Sequence, residues 1–314
     1  QDSILGNADA FLTLDFPLIR GLKLKDVIFD VQADIEELNI PKLSDGYNLS
    51  DGTMTLAVNR DGIVSNGNIL LNGIDFNAEW IEDFTKSKEY PTQYTIEGEV
   101  ENKEWETLHL PFEPYVSGPA KANLTLLGQG AGLKVGKGVI DLADNEIIFE
   151  PLGWVKEETS KAKTNFRLVF DDNNIHVNDI VFSSENMNSE LQLTYDGERA
   201  SRLYIKELEM QGHDFSGLFE WDYENAMYQL SVKGEEFNAV PLMDIIFAPL
   251  DENTEKTDLP DFNLSGSIAE VAMYNDIIAK ETSVLAGYIN NEVIDFGYMA
   301  KWGEDKNLSL IIAS

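Results

Sequence analysis

Few residues in this sequence are spaced for chemistry. His213-Asp214-Phe215-Ser216 brings an imidazole, a carboxylate and a hydroxyl close together, the groups of a proton relay. Successive residues of an extended chain point to opposite faces, so His213 and Asp214 would diverge. Asp171-Asp172-Asn173-Asn174 offers oxygen ligands but lacks the glycine and closing glutamate of a calcium loop, and reads as a hairpin turn. Gly128-Gln129-Gly130-Ala131-Gly132 lacks the Lys-Ser/Thr of a phosphate loop and reads as a loop or a bulge. With 56 Asp and Glu, some carboxylate pair falls within the ~5–9 Å of a glycosidase in any fold, so the count has no specificity. There is no nucleophile elbow, zincin helix, P-loop or dinucleotide fingerprint. Cysteine is absent and the histidines are only three, His109, His176 and His213. No metal, no cofactor and no catalytic residue is therefore expected, and the chain is read as a non-enzyme.

The composition narrows the partners. The 314 residues carry 23 Lys and Arg and a net charge of −33. Nucleic acid needs clustered cations and is excluded as the default partner; docking on an anionic membrane surface is disfavoured for the same reason. Hydrophobic residues make up 43 %, enough to build a core. No run approaches the ~18 apolar residues of a membrane span. The chain opens Gln1-Asp2-Ser3 and stops within the apolar run Leu308 to Ala313, which suggests a segment of a longer protein.

The elements that would position any site are strands. Apolar residues alternate with polar ones at Met54-Leu56-Val58, Ile74-Phe76-Ala78-Trp80, Tyr94-Ile96, Phe166-Leu168-Phe170, Leu191-Leu193-Tyr195, Tyr228-Leu230-Val232, Ile294-Phe296-Tyr298 and Leu308-Leu310-Ile312. Turn clusters rich in Asn, Asp and Gly separate them. Roughly 16–20 short strands follow, in an antiparallel meander. Glu79 to Phe84, Glu101 to Leu108 and Val240 to Phe247 have the character of one or two helical turns, and no helix is long enough to act as a lid. The tryptophans Trp80, Trp105, Trp154, Trp221 and Trp302 read as packing in a core or at a lip rather than as a sugar-binding stripe.

A long repeat is present. Gly73-Ile74-Asp75-Phe76 matches Gly212-His213-Asp214-Phe215, and Gly98-Glu99 matches Gly234-Glu235, at offsets of 139 and 136 residues. Trp105-Glu106-Thr107-Leu108 stands where Val240-Pro241-Leu242-Met243 stands. Two related units, about 46–112 and 190–247, are expected within a segment 1–250. An acidic loop, 251–261, would lead to a continuation of the same sheet, 262–314.

Pro151-Leu152-Gly153-Trp154-Val155-Lys156, with the Gly-x-Asp-Phe pattern and the short helix after Val232-Lys233-Gly234-Glu235, resembles the AsmA-like superfamily, in particular its large YhdP-type branch. That resemblance implies a mainly β fold: a long curved antiparallel sheet forming an open, apolar-lined trough, with a few short helices. It implies a periplasmic segment of a protein anchored in the inner membrane of a Gram-negative bacterium. Such a segment would shield phospholipid acyl chains in transit between inner and outer membrane. The anchor and the outer-membrane contacts would lie outside the segment. The acidity departs from the family pattern and suggests an acidic exterior. From the alternation, the groove lining is expected at Leu56, Val58, Phe76, Ile96, Leu124, Leu126, Phe166, Leu168, Leu191, Leu193, Leu230 and Val232. The competing reading is an extracellular adhesin or carbohydrate-binding protein built from β-sandwiches.

Overall fold

The computed structural model describes residues 4–44, 46–85, 87–108, 115–130, 132–171, 173–246, 260–290, 292–302 and 306–313. Among them the chain is mostly strand, 72 %, and eighteen strands belong to one sheet that is not closed into a barrel. The chain divides into two compact units, Gln1–Asn145 with Leu168–Phe170, and Glu146–Arg167 with Asp171–Ser314.

In unit 1 the strands are β1 (Leu5–Asp15), β2 (Ile28–Ser44), β3 (Tyr47–Asn59), β4 (Gly62–Leu71), β5 (Ile74–Asp83), β6 (Thr92–Val100), β7 (Val116–Ser117), β8 (Ala120–Gln129) and β9 (Gly132–Asp141). β1 to β6 pair antiparallel in chain order, followed by β8 and β9. The pairing register sorts the side chains by face. One row across the sheet reads Leu56, Ser65, Trp80, Tyr94, Leu126, and the next reads Met54, Gly67, Ala78, Ile96, Leu124. The opposite face carries Thr55, Asn66, Glu79, Thr95 and Thr125 in one row. Period-two alternation in each strand thus becomes one apolar and one polar face.

Unit 2 contains β10 (Glu146–Phe149), β11 (Trp154–Lys156), β12 (Ala162–Phe170, whose last three residues belong to unit 1), β13 (Ile175–Ser184), β14 (Met187–Tyr195), β15 (Ala200–Met210), β16 (His213–Asp222), β17 (Met227–Asn238), the helix α1 (Val240–Ile246), β18 (Phe262–Met273), β19 (Ile277–Ile289), β20 (Glu292–Trp302) and β21 (Lys306–Ala313). Its apolar face runs Leu193, Leu203, Phe219, Leu230, Leu264, Ala286, Phe296 across seven strands, and its polar face runs Thr194, Arg202, Glu220, Gln229, Asn263. On the polar side, cross-strand pairs such as Lys206–Glu190 at 2.6 Å and Lys280–Glu270 at 2.9 Å use a few of the scarce cations. These exposed pairs each contribute ~0–1 kcal/mol.

Two expectations need correction. The meander is not wholly antiparallel, because β17 and β18 are parallel, with Leu230 opposite Leu264. A parallel pair requires a crossover of a dozen residues or more, and the chain from 239 to 261 that contains α1 provides it. Glu79 to Phe84 is not helical but falls largely within β5, where Glu79 faces Asn66 on one side and Thr95 on the other. Pairing on both edges overrides a weak local preference. Glu101 to Leu108 does make the short helical turns expected of it, a 3₁₀ turn over Asn102–Glu104 followed by further turns. The acidic loop lies outside the described residues from 251 to 259, and so does His109.

Candidate functional site

Each unit closes one end of its apolar face. In unit 1, Trp105 and Leu108 are buried against Ile69, Ile74, Phe76, Val100 and Ala120. The segment is pinned by the Tyr47 hydroxyl, which donates to the Leu108 carbonyl at 2.9 Å, and by Asn72 Nδ2, which donates to the Thr107 carbonyl at 3.0 Å. In unit 2, Ile205, Leu208, Phe215, Ile268, Val271, Ala279 and Ala300 form the closed cluster, with Leu152 and Ala239 packed on it. The two matching sequence patterns occupy matching places in these clusters. Phe76 stands opposite Gly98, and Phe215 opposite Gly234. A Cβ at Gly98 would overlap the Phe76 ring, and one at Gly234 would stand 2.6 Å from Phe215 Cβ. Each phenylalanine therefore lies over a strand glycine because nothing else leaves room for it.

His213 is 1 % exposed and belongs to the unit 2 closure. Its Nε2 lies 3.1 Å from the Leu152 carbonyl, 61 residues away in sequence, which fixes Nε2 as the protonated nitrogen. Phe237 meets its ring edge-on at 5.0 Å. Burial pushes the imidazole ionisation below its ordinary value, the Leu152 carbonyl opposing only in part. Asp214 is exposed on the other face, and the Ser216 hydroxyl donates to the Lys233 carbonyl at 3.3 Å. The three groups do not converge.

The Pro-Leu-Gly-Trp run forms the clip that His213 holds. Glu150–Leu152 makes a 3₁₀ turn ended by Gly153 in the left-handed region, φ 60°. A Cβ at Gly153 would stand 2.6 Å from Pro241 Cγ on α1, so glycine is required both for the turn and for docking on the helix. Trp154 is buried; its Nε1 donates to Asn186 Oδ1 at 3.0 Å and its ring meets Phe182 edge-on at 5.7 Å. Lys156 is buried too, its Nζ donating to the Glu157 carbonyl at 3.0 Å. Sequence reasoning picked out the run and the short helix separately. Their joint role was not visible because long-range packing, not a local pattern, brings them together.

Beyond the closures the apolar faces are half-open. Eleven of the twelve expected lining residues are half-buried: Leu56, Val58, Ile96, Leu124, Leu126, Phe166, Leu168, Leu191, Leu193, Leu230 and Val232. Phe76 differs, being 5 % exposed within the closed cluster of unit 1. The register puts Leu56, Val58, Ile96, Leu124 and Leu126 on the face that carries that cluster. Leu168 lies there as well, its Cδ1 3.3 Å from the position of a Gly136 Cβ. In unit 2, Leu191, Leu193, Leu230 and Val232 share the face of Ile205 and Phe219. Among the described residues no helix lies over this band; in unit 1 the turn after Val100, and in unit 2 α1 with its clip, cover the closed end.

Away from the closures, aromatic rings take over. Trp80 stacks on Tyr94 with centroids 6.4 Å apart, Trp221 meets Tyr228 at 4.9 Å, and Phe262 stacks on Tyr288 at 5.2 Å. The Arg199 guanidinium lies 4.3 Å over the Trp221 ring. Such rings combine an apolar body with a polar tip and suit the boundary between an apolar band and water. Trp302 is 50 % exposed, and Trp105 and Trp154 are buried in the closures.

The remaining titratable groups fasten turns. Tyr223 donates to Asp196 at 2.6 Å and, with two backbone amides, holds that carboxyl at about 2. The Thr85 and Ser87 hydroxyls do the same for Asp83, also at about 2. Asp171 accepts from His176 at 3.0 Å and from the Asn174 amide at 2.8 Å, a closed hairpin turn. Gly128 sits at the bulge between β8 and β9. Among the described residues no three His, Asp or Glu side chains gather to hold a metal ion, and no helix is long and apolar enough to cross a membrane. No family model, curated protein or solved structure matches the chain.

Proposed function

We propose that the half-open apolar band of each unit shields lipid acyl chains from water, as a non-enzymatic segment of a periplasmic, AsmA-like phospholipid conduit between inner and outer membranes. The supporting observation is the band itself: eleven apolar side chains at half burial, on a face whose closed end is plugged and whose other end is aromatic. A fully closed core would bury these residues, and a solvent-facing sheet would not place them in rows.

The energetics suit a conduit. Each acyl CH₂ taken out of water contributes ~0.8 kcal/mol, so a two-chain lipid on the band is stabilised by tens of kcal/mol relative to water. Relative to a bilayer the gain is close to zero, because the lipid leaves one apolar environment for another. Cargo is therefore soluble in the band without being trapped. The acidic opposite face keeps the outside wet and discourages sheet stacking.

The test is lipid retention. The chain, purified under gentle conditions, is extracted and its phospholipid quantified, with native mass spectrometry as a second readout. Co-purifying phospholipid or detergent is the expected result. None in either measurement would overturn the proposal.

A further inference from the structure

In unit 2 the apolar face ends in a row of aromatic rings. The register sets Trp221, Tyr228, Phe262 and Tyr288 side by side across β16 to β19, one row beyond Phe219, Leu230, Leu264 and Ala286. Arg199, in the turn between β14 and β15, lays its guanidinium 4.3 Å over the Trp221 ring. A positive charge is thereby held where the apolar band meets water. Lys206 and Lys280, by contrast, stand on the polar face with their glutamates. Among the described residues the Arg199 guanidinium is incompletely paired: Nη2 donates to Glu198 Oε2 at 2.9 Å, and the buried Nε has no acceptor. The Glu198 side chain is 78 % exposed, so this pair is weak and readily exchanged. Asp196, fastened by Tyr223 at 2.6 Å, is a second carboxylate within electrostatic reach of Arg199.

We propose that this corner binds the headgroup of a zwitterionic phospholipid, its phosphodiester on Arg199 and its ammonium on Glu198 and Asp196, with the acyl chains lying on the band. The inference rests on the acyl-chain reading of the band and adds the class of lipid. A cation beside carboxylates is the complement of a phosphate beside an ammonium. The guanidinium offers phosphate oxygens a planar, bidentate fork, and Glu198, released from Arg199, meets the ammonium instead. An anionic lipid without an ammonium lacks the second contact and is repelled by a chain of net charge −33. The length agrees as well. Trp221 lies six positions along β16 from Phe215 of the closed cluster, a distance of ~20 Å at ~3.3 Å per residue. One leaflet of a bilayer's hydrocarbon core is ~15 Å thick, so the chains of one lipid fit between Arg199 and the closure.

The full chain is incubated with vesicles of phosphatidylethanolamine and phosphatidylglycerol in equal parts, doped with diacylglycerol, all three with the same acyl chains. It is then re-isolated and its lipid quantified by extraction and mass spectrometry. Wild type should carry more phosphatidylethanolamine than phosphatidylglycerol. Arg199→Gln should lose about tenfold of its phosphatidylethanolamine, the worth of one charge-assisted hydrogen bond, and keep its diacylglycerol. Glu198→Gln leaves the guanidinium in place and should move the ratio towards phosphatidylglycerol. Wild type that takes up diacylglycerol without preferring phosphatidylethanolamine would overturn the headgroup site and leave the acyl-chain band standing. So would a folded Arg199→Gln with undiminished phosphatidylethanolamine. An unmoved ratio in Glu198→Gln would overturn it whether or not Arg199→Gln folds. No lipid of any kind on wild type would overturn the band, and this inference with it.

Discussion

Leu193 separates an open apolar band from a closed core. It is half-buried in β14, between Val177 and Leu203. Full burial of a leucine contributes ~1.5–3 kcal/mol, so half-burial is worth about 1 kcal/mol. In Leu193→Glu the carboxylate keeps water on its open side, and the several-kcal/mol penalty for burying an unpaired charge does not arise. The expected total loss is about 1–2 kcal/mol. Phe215 is 8 % exposed within the closed cluster; Phe215→Ala removes buried atoms and leaves a cavity, at about 3–5 kcal/mol. At roughly 2–4 °C per kcal/mol for chains of this order, the first variant should lose a few degrees and the second about ten. Urea titration and thermal melting measure both, and extraction measures bound lipid. Leu193→Glu should stay folded and lose most of its lipid. A loss as large as that of Phe215→Ala would mean the band is a core. Full lipid retention in a folded Leu193→Glu would refute the acyl-chain reading.

Two further outcomes follow from the closures. His213 is held neutral by burial, with its ionisation below the ordinary ~6.5. The unfolded chain therefore takes up a proton first as pH falls: this contribution to stability is complete above about 6.5 and is lost as pH drops through the lowered folded value. Urea midpoints should decline with acidification in that range in the wild type and flatten in His213→Leu, whereas equal slopes would remove His213 as the cause. Asp83 and Asp196, held at about 2, add stability that is present above the ordinary carboxylate range and is lost as pH falls from about 4 towards 2. Gly234→Ala should cost ~1–3 kcal/mol by crowding Phe215, and Gly98→Ala should do the same through Phe76. Either variant melting like wild type would contradict the close approach.

The strands were legible because period-two alternation needs no tertiary information: one face buries and the other hydrates. Leu230-Val232 or Leu191-Leu193 reads correctly in isolation, and the Asx turns at Asp171 and Asp196 are local chemistry. The repeat was legible too, since a phenylalanine over a glycine fixes two residue types at a set spacing. Alternation could not say which stretch of the apolar face would be covered. Phe76 and Leu56 sit in identical patterns, yet only Phe76 belongs to the buried cluster that holds Trp105. The parallel step from β17 to β18 was hidden, because strand composition carries no direction. His213 showed only as a histidine beside an aspartate. Its tie to Leu152, and the resulting clip over α1, exist only once segments far apart in sequence are packed together. Local periodicity determined the faces of the sheet; contacts across long sequence separations decided where the apolar face is closed and where it is left open.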